Sequence, residues 1–433
     1  MVSKLHFRKR KIFLLIIDGL GDEPIPALGN RTPLEAAKTP NLDFLAEKGI
    51  TGLILPYTEN KKSPTSEETH FALFGYQPKI FNPGRGVLEV LGMGMKILPG
   101  DVCLRGNFAT LDKEGRIIDR RAGRIEETED LIKDIGGIEI EGLRPPHHPP
   151  AFGGPLVKFL IGKGVGHRIG IIMRPCQNTV KSLGQRVENL SPKISDSDPK
   201  VTGVRPLEIK PLDKSSEAKF TARILNQFLK KAESILKNHP LNKKRGKQGK
   251  LPANYILVRG AGTFKKIPSF YQKYKLKACC IAGGSLYKGI GKFLGMDLIE
   301  SRKFTGLPNT DLRAKFLTAK KALLKYDFVF CHIKAVDNLA EDGNFRGKKE
   351  FIEKIDKNFY ALVHGCKSLI VVTGDHSTCS LLKKHCSKPI PILIFGNQKD
   401  KIKEFSEKAC KEGGLGRIKQ LNLMAKILEL AKD

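Results

Sequence analysis

The chain has 433 residues, of which 40% are hydrophobic and 28% are charged, and its formal net charge is +31. This composition is that of a folded protein and excludes a disordered or fibrous chain, and the length predicts two domains. The positive charge attracts anions such as phosphorylated metabolites, nucleic acid or membrane surfaces, although a generally basic proteome would produce the same excess as solvated lysine.

The start of the chain lacks the features of a targeting segment. Its apolar part, Ile12–Ile17, is shorter than the hydrophobic region of a signal peptide and ends at Asp18. No stretch reaches the roughly 20 apolar residues that span a membrane. The nine cysteines include no CxxC pair, which indicates reduced, mostly buried thiols. We therefore expect a cytoplasmic protein without a membrane partner.

The first hundred residues predict alternating strands and helices. The segment 11–17, which is apolar from Ile12 onward, predicts a central parallel strand, buried on both faces. The segment 39–49 has a threonine cap, a proline at the first helical position and a terminal glycine, so it predicts a helix. Ile50–Leu55 predicts the next strand. This order is the doubly wound pattern of α/β proteins.

Ser66 is placed to cap the helix that follows it. Serine is a favoured N-cap, so a plain structural cap is one interpretation. A hydroxyl at a helix N-terminus can also be a nucleophile or a phosphate seat, because this end of a helix stabilises negative charge. Both interpretations stay open on local grounds.

From about residue 100 the pattern changes to short alternating strands. Arg120, Arg121 and Arg124 offer guanidinium forks that match carboxylate and phosphate oxygens, although a solvated charge run explains them equally well. The segment 219–237 predicts a long amphipathic helix. The basic run at 243–250 has no interleaved aromatic residues, so it predicts a solvated loop rather than a nucleic-acid surface.

Three predicted strands end in an acidic residue, at Asp18, Asp337 and Asp375. His376 and His385 add imidazole groups. Such ligands at the carboxyl edge of an α/β sheet can hold divalent ions, and two ions ~4 Å apart can clamp both oxygens of a phosphoryl transfer. A turn with a surface histidine would explain Asp375 and His376 alone. The joint occurrence at strand ends predicts a metal site.

Ordered sequence blocks run through nearly the whole chain. They include IDGLGD at 17–22, TPLEAA at 32–37, TPNLD at 39–43, GRG at 84–86, DRRAGR at 119–124, SDSDP at 195–199, LYKG at 286–289 and TGDHST at 373–378. In these blocks the sequence resembles the archaeal-type 2,3-bisphosphoglycerate-independent phosphoglycerate mutases of the alkaline phosphatase superfamily. The resemblance implies an α/β fold, with an alkaline-phosphatase-like doubly wound sheet and a smaller inserted α+β domain. Residues 1–100 and 265–433 would form the metal-binding domain, and 101–264 the inserted substrate-binding domain.

The resemblance also implies roles for individual residues. Ser66 matches the phosphorylated nucleophile. One metal ion would be held by Asp18, Ser66, Asp375 and His376, and the other by Asp337, His385 and the residue at 341, which is Glu341 here and histidine in the family. The substrate phosphate and carboxylate would be bound by Arg120, Arg121, Arg124, Arg259 and Lys288.

The implied activity is the interconversion of 3-phosphoglycerate and 2-phosphoglycerate in glycolysis and gluconeogenesis. It would require two divalent ions, Mn²⁺ or Mg²⁺, and no bisphosphoglycerate. The protein would be a monomer or a small homo-oligomer. Its partner would be the small-molecule substrate phosphoglycerate, and it would not bind nucleic acid.

Departures from the family pattern keep other functions open. Glu341 can still bind Mg²⁺ or Mn²⁺ through oxygen, but the change also motivates a non-catalytic relative, as do Thr65 and Thr69 beside Ser66 in place of smaller residues. A related metal-dependent phosphatase or phosphotransferase is a further alternative. The charge of +31 motivates a nucleic-acid-binding protein.

Overall fold

The computed structural model describes residues 10–58, 63–141, 156–176, 189–363 and 367–432. The chain divides into two compact units. Unit 1 takes the chain up to Asn82 and again from Ile267, and unit 2 takes Pro83–Lys266. The domain boundaries predicted from the sequence fall after residues 100 and 264. None of the helices in the described ranges has the length and apolar character needed to cross a membrane.

Strands and helices alternate through most of the chain. The strands are β1 (Ile12–Ile17), β2 (Ile50–Leu55), β3 (Val102–Leu111), β4 (Ile117–Asp119), β5 (Glu139–Glu141), β6 (Leu156–Lys163), β7 (Arg168–Pro175), β8 (Tyr255–Thr263), β9 (Ala278–Ile281), β10 (Asp297–Leu298), β11 (Phe328–Ile333), β12 (Leu369–Thr373), β13 (Ser377–Cys379), β14 (Lys384–Cys386), β15 (Ile390–Phe395) and β16 (Gly416–Lys419). The helices are α1 (Pro33–Ala36), α2 (Pro40–Lys48), α3 (Ser66–Leu73), α4 (Pro78–Phe81), α5 (Arg85–Gly92), α6 (Glu129–Ile135), α7 (Ser216–Asn238), α8 (Pro240–Lys247), α9 (Phe270–Tyr274), α10 (Ser285–Phe293), α11 (Leu312–Ala322), α12 (Ala335–Glu341), α13 (Phe345–Val363), α14 (Glu407–Cys410) and α15 (Leu423–Leu430).

Unit 1 is built on an eight-stranded sheet with the order β10-β9-β11-β1-β12-β15-β2-β16. The central strand β1 is fully buried and pairs in parallel with β11 and β12, as its unbroken apolar sequence predicts. The sheet is mixed, because β15 runs antiparallel to both of its neighbours. The predicted α/β fold class is confirmed.

Helices cover both faces of this sheet, because alternate strand residues point to opposite sides. On one face, Phe13 of β1 contacts Phe359 of α13 with ring centroids 6.0 Å apart. On the other face, Phe330 of β11 contacts Phe74, directly after α3, with centroids 5.0 Å apart. The sheet therefore has a buried core on each side, and its strand ends stay available at the edges.

Unit 2 has a six-stranded sheet in which β4, β3, β7, β6 and β5 follow one another and β8 also pairs with β3. Helix α7 packs on it, with Phe159 and Phe228 stacked at 3.9 Å. This helix confirms the prediction at 219–237. The predicted loop at 243–250 is wrong, because α8 occupies most of it. Pro240 takes the first helical position, and the side chain of His239 accepts a hydrogen bond from Leu241 N.

One disulfide joins Cys379 and Cys386 across the hairpin of β13 and β14. The expectation of reduced thiols is therefore wrong for these two residues. Their spacing of seven residues is not a recognisable motif, and only the hairpin register brings them together. Five of the other described cysteines are buried free thiols: Cys103, Cys279, Cys280, Cys331 and Cys410.

Candidate metal centre

The candidate ligands meet at the carboxyl edge of the sheet in unit 1. Strands β11, β1 and β12 are parallel neighbours, so their ends lie side by side. Asp18 follows β1, and its backbone N–H donates to Ile333 O at 2.9 Å. Asp337 lies in α12, directly after β11, and Asp375 follows β12. Three distant parts of the sequence thus deliver buried carboxylates to one place.

The Ser66-side cluster consists of Asp18, Asp375 and His376. Their ligand atoms all lie within 4.8 Å of one another. Nε2 of His376 is 3.5 Å from Asp18 Oδ1 and 3.3 Å from Asp375 Oδ2. Ser66 Oγ lies 3.3 Å from the same Nε2. All four side chains are buried, so the hydroxyl faces a water-poor group of metal-binding atoms.

The His385-side cluster consists of Asp337, His376 and His385. Their ligand atoms also lie within 4.8 Å of one another. Nε2 of His385 is 3.5 Å from Asp337 Oδ1 and 3.7 Å from Glu341 Oε1. The rings of His376 and His385 stack at 3.7 Å. Glu341 therefore lies beside this cluster, although half of its side chain is exposed. Partial burial and the nearby Asp337 carboxylate raise the pKa of Glu341.

Ser66 is the first helical residue of α3, not its cap. Thr65 has the extended backbone of a cap, and its side chain accepts a hydrogen bond from Glu68 N. The prediction of Ser66 as cap is wrong, because a threonine one residue earlier takes that position. This shift leaves the Ser66 hydroxyl free of the helix backbone and directs it toward His376.

The two clusters fit divalent ions. Asp375 Oδ2 is a buried oxygen without a hydrogen-bond partner in the described structure, and such an acceptor is costly unless a cation occupies the site. Burial lowers the pKa of His376 to about 3, so its imidazole is neutral, as metal ligation requires. Burial and the Asp18 charge raise the pKa of Asp375. Positive charge beside these carboxylates would favour their ionised forms.

Comparison with known proteins identifies the family of this chain. A model of the metalloenzyme superfamily matches residues 10–430. The 2,3-bisphosphoglycerate-independent phosphoglycerate mutase 1 of Archaeoglobus fulgidus is 41% identical over 428 residues, which cover 97% of each chain. That of Methanocaldococcus jannaschii is 42% identical over 430 residues, which cover 98% of each chain. The chain belongs to this mutase family, within the metalloenzyme superfamily.

Solved structures with the same fold support the family assignment. The cofactor-independent phosphoglycerate mutase from Thermoplasma acidophilum has a TM-score of 0.63 and 35% identity, covering 98% of this chain and 100% of that one. A Pyrococcus horikoshii protein has a TM-score of 0.78 and 32% identity, covering 98% and 97%. The resemblance found in the sequence is thereby confirmed.

Several residues around the centre of this family member were not singled out from the sequence. Lys334 lies between the two clusters, with Nζ 3.3 Å from Asp18 Oδ1 and 2.5 Å from Asp337 Oδ2. His332 Nε2 is 3.1 Å from Asp18 Oδ2. Thr378 Oγ1 donates to Asp337 Oδ1 at 2.6 Å. Lys334 directly follows a strand that leads to the candidate ligand Asp337. This position is the feature of the sequence that could have identified Lys334 as part of the centre.

Lys288, a predicted substrate-binding residue, lies on α10. Its ammonium is 2.8 Å from Glu300 Oε1. Within the described residues, no ion pair joins it to a candidate metal ligand. Its neighbour Tyr287 is the residue of α10 that reaches the centre, where its ring stacks on His332 at 3.5 Å.

The arginine cluster of unit 2 consists of Arg85, Arg105, Arg120, Arg168 and Arg259. Arg120 binds Asp198 through two hydrogen bonds of 2.9 and 2.7 Å, and Arg259 Nη1 is 3.9 Å from the same carboxylate. Arg105 and Arg85 lie 3.5 and 3.6 Å from Glu89 Oε1. Burial and the Arg85 guanidinium lower the pKa of Arg259. Five guanidinium groups face two carboxylates, which leaves a strongly positive site.

Arg121 and Arg124 belong to the surroundings of this cluster. Both lie close enough to His167 to contribute, with burial and Arg168, to a lowered pKa of about 3 for that histidine. Arg105 and Arg168 carry no local signal in the sequence, because Arg105 is the one basic residue of β3 and Arg168 has only His167 as an adjacent basic residue. Strand pairing alone brings β3 beside β7 and β8.

Proposed function

We propose that this protein is an isomerase that interconverts 3-phosphoglycerate and 2-phosphoglycerate without bisphosphoglycerate. The observation that carries the proposal is the buried Ser66 hydroxyl, 3.3 Å from His376 Nε2 and beside Asp18 and Asp375. A nucleophilic serine in a group of metal-binding atoms is the arrangement that phosphoryl transfer through a phosphoserine requires. Membership of the mutase family supports the same reaction.

Two divalent ions, Mn²⁺ or Mg²⁺, would occupy the centre. Asp18, Asp375, His376 and Ser66 would hold one ion, and Asp337, Glu341 and His385 the other. Bound there, the ions would lower the pKa of the Ser66 hydroxyl and neutralise charge on the phosphoryl oxygens. The carboxylate donors suit both metals.

In the proposed reaction, Ser66 Oγ attacks the phosphorus of 3-phosphoglycerate. The bond from phosphorus to the 3-oxygen breaks as the bond to Oγ forms, and the serine proton ends on the glycerate 3-oxygen. The glycerate 2-hydroxyl then attacks the phosphoserine, and its proton returns to Ser66. The N-terminus of α3 favours the negative charge on the serine oxygen in both steps.

The arginine cluster of unit 2 would bind the anionic groups of the substrate. Guanidinium groups pair bidentately with carboxylate and phosphate. Arg259, Arg105 and Arg168 are the stronger candidates, because Arg120 already forms both of its fork bonds with Asp198. Arg121, Arg124 and Lys288 stay in the proposed substrate-binding set.

Neither a related metal-dependent phosphatase or phosphotransferase nor a non-catalytic family member is favoured. The non-catalytic alternative rested on Glu341, yet its carboxylate is 3.7 Å from His385 Nε2, within reach of a shared ion. The altered neighbours of Ser66 also have local roles, since Thr65 caps α3 and Thr69 Oγ1 donates a hydrogen bond to Thr65 O.

We propose a cytoplasmic monomer or small homo-oligomer that acts on a small molecule.

The test is a coupled assay for 2-phosphoglycerate, with 3-phosphoglycerate as substrate, divalent ions and no bisphosphoglycerate. We expect metal-dependent turnover that Ser66→Ala lowers by about 10³-fold or more. The exposed Ser63 provides the matched control, Ser63→Ala, which should keep wild-type turnover. Release of free phosphate without 2-phosphoglycerate would instead indicate a phosphatase. No turnover with any metal would overturn the proposal.

A further inference from the structure

The ammonium of Lys334 contacts a carboxylate from each of the two clusters. Its Nζ is 3.3 Å from both oxygens of Asp18, in the Ser66-side cluster. It is 2.5 Å from Oδ2 of Asp337, in the His385-side cluster. Both carboxylates are buried, and the lysine side chain is 19% exposed. One side-chain cation thus serves two candidate ion sites.

Two backbone features and one aromatic ring hold the Lys334 ammonium in this position. Ile17 and Ile333 are paired in register in β1 and β11, so Asp18 and Lys334 are the next residues along neighbouring parallel strands. Asp337 N donates to Lys334 O at 3.1 Å, which sets the carboxylate one helical turn away. Nζ also lies 5.7 Å from the ring centroid of Tyr287, where the aromatic ring provides a cation–π wall.

The bridge leaves part of the negative charge uncompensated. Lys334 supplies one positive charge to a group that contains the carboxylates of Asp18, Asp337 and Asp375. Asp375 Oδ2 has no hydrogen-bond partner in the described structure, and it lies on the side of His376. The ammonium therefore supplements the expected divalent ions at this centre and cannot replace both of them.

We propose that Lys334 couples the binding of the two metal ions to each other. The first ion to enter either cluster has to take a carboxylate from the ammonium, which disrupts the bridge to the other cluster as well. The second ion then finds its carboxylate already released. Only the first binding step includes the unfavourable free energy of displacing the ammonium. The second ion therefore binds more favourably than it would alone, which is positive coupling. The inference rests on the two-ion centre of the proposed function.

Removal of the ammonium should change the two steps unequally. In Lys334→Met the carboxylates lack their internal cation, so the first ion binds more tightly, while the second step changes little. The ratio of the second to the first stepwise association constant should fall at least about fivefold relative to wild type, which is the lower end of typical coupling. Mutual repulsion of the two ions is present in both proteins and cancels in this comparison.

The experiment is a titration of the metal-free protein with Mn²⁺, followed by calorimetry and by electron paramagnetic resonance. At one equivalent of Mn²⁺, wild type should show the spin-coupled signal of ion pairs, and Lys334→Met should show mainly single ions. Lys303 is 70% exposed and lies in the same unit. Lys303→Met is therefore the control for the loss of one charge and should match wild type.

Equal changes in both steps would overturn the inference, because they would mean that Lys334 acts only as a distant charge. Unchanged constants would overturn it as well. Lys334→Gln is titrated in parallel, and unfolding curves verify that each variant folds. The readout needs no substrate, so a failed mutase assay and a failed coupling test are separate results.

Discussion

Thr378 Oγ1 donates a hydrogen bond of 2.6 Å to Asp337 Oδ1 and lies 3.2 Å from His376 Nδ1. One hydroxyl therefore orients candidate ligands of both clusters. Groups that orient metal ligands are typically worth 10–100-fold in metal affinity.

Replacement of Thr378 by valine should weaken Mn²⁺ binding by about 10–100-fold, because the methyl group cannot donate to Asp337. The measurement is calorimetric titration of the metal-free protein. Thr378→Ser keeps the hydroxyl and should stay within about threefold of wild type. Equal losses in the serine and valine variants would mean that packing, not the hydrogen bond, matters here.

Glu341 should determine which metal the His385-side cluster prefers. Oxygen ligands favour Mg²⁺ and Mn²⁺, and imidazole favours Zn²⁺. In Glu341→His the affinity for Zn²⁺ relative to Mg²⁺ should rise by about tenfold or more, measured by competition with a fluorescent chelator. Glu341→Gln keeps an oxygen donor without the charge and should not show this reversal. An unchanged metal order in Glu341→His would exclude Glu341 as a ligand.

The disulfide between Cys379 and Cys386 should hold His385 in place, because β13 and β14 are only three residues long. Reduction, or Cys386→Ser, should weaken one of the two Mn²⁺ binding steps by about tenfold. Calorimetry with and without dithiothreitol provides the measurement. Cys176→Ser, in unit 2, serves as control and should respond to reductant as wild type does. Identical isotherms in reduced and oxidised protein would contradict this role.

Lys348 is fully buried, and its ammonium donates to Gly21 O, Asp22 Oδ2 and Thr378 O at 3.1, 2.9 and 3.0 Å. Lys348→Met leaves the Asp22 carboxylate buried without its cation and should cost about 3–5 kcal/mol. Lys349→Met removes only a helical pair with Glu353 and should cost about 0.5 kcal/mol or less. Urea unfolding midpoints measure both. Similar losses in the two variants would refute this assignment.

Glu407 should make stability depend on pH. Burial raises its pKa to about 7 from an ordinary 4.5, so between these pH values the folded state holds a proton that the unfolded state releases. Stability from this group is present at low pH and is lost as pH rises through about 7, by roughly 3 kcal/mol in total. Denaturant unfolding from pH 4.5 to 7.5 should show this loss in wild type relative to Glu407→Gln. Parallel curves for the two proteins would contradict it.

The sequence predicts the elements of this fold well where one strong local signal dominates. The unbroken apolar run of β1 predicts a central parallel strand, and the caps of α2 predict its ends. Ser66 shows the limit, because Thr65 and Ser66 are both good caps and tertiary contacts decide between them. The antiparallel direction of β15 is also set by neighbours rather than by its own residues.

The candidate site divides in the same way. Asp18 and Asp375 follow recognisable strands, so their meeting at one edge follows from parallel pairing. Lys334 is not predictable from the sequence, because a lone lysine after a strand is usually solvated. Arg105 and Arg259 become neighbours only through the pairing of β3 with β8. Such positions depend on sheet register, which a single sequence does not specify.

The position of β1 in the sheet has a consequence for synthesis of the chain. Its two partners, β11 and β12, come late, and Asp18 and Lys334 are 316 residues apart. At about 5–20 residues per second, the ribosome needs roughly 15–60 s to make that stretch. Until then, the six apolar residues of β1 have no partner strands, while unit 2 has been completed. The nascent chain therefore carries an unpaired, aggregation-prone strand. The yield of folded enzyme would depend on how well chaperones protect this strand.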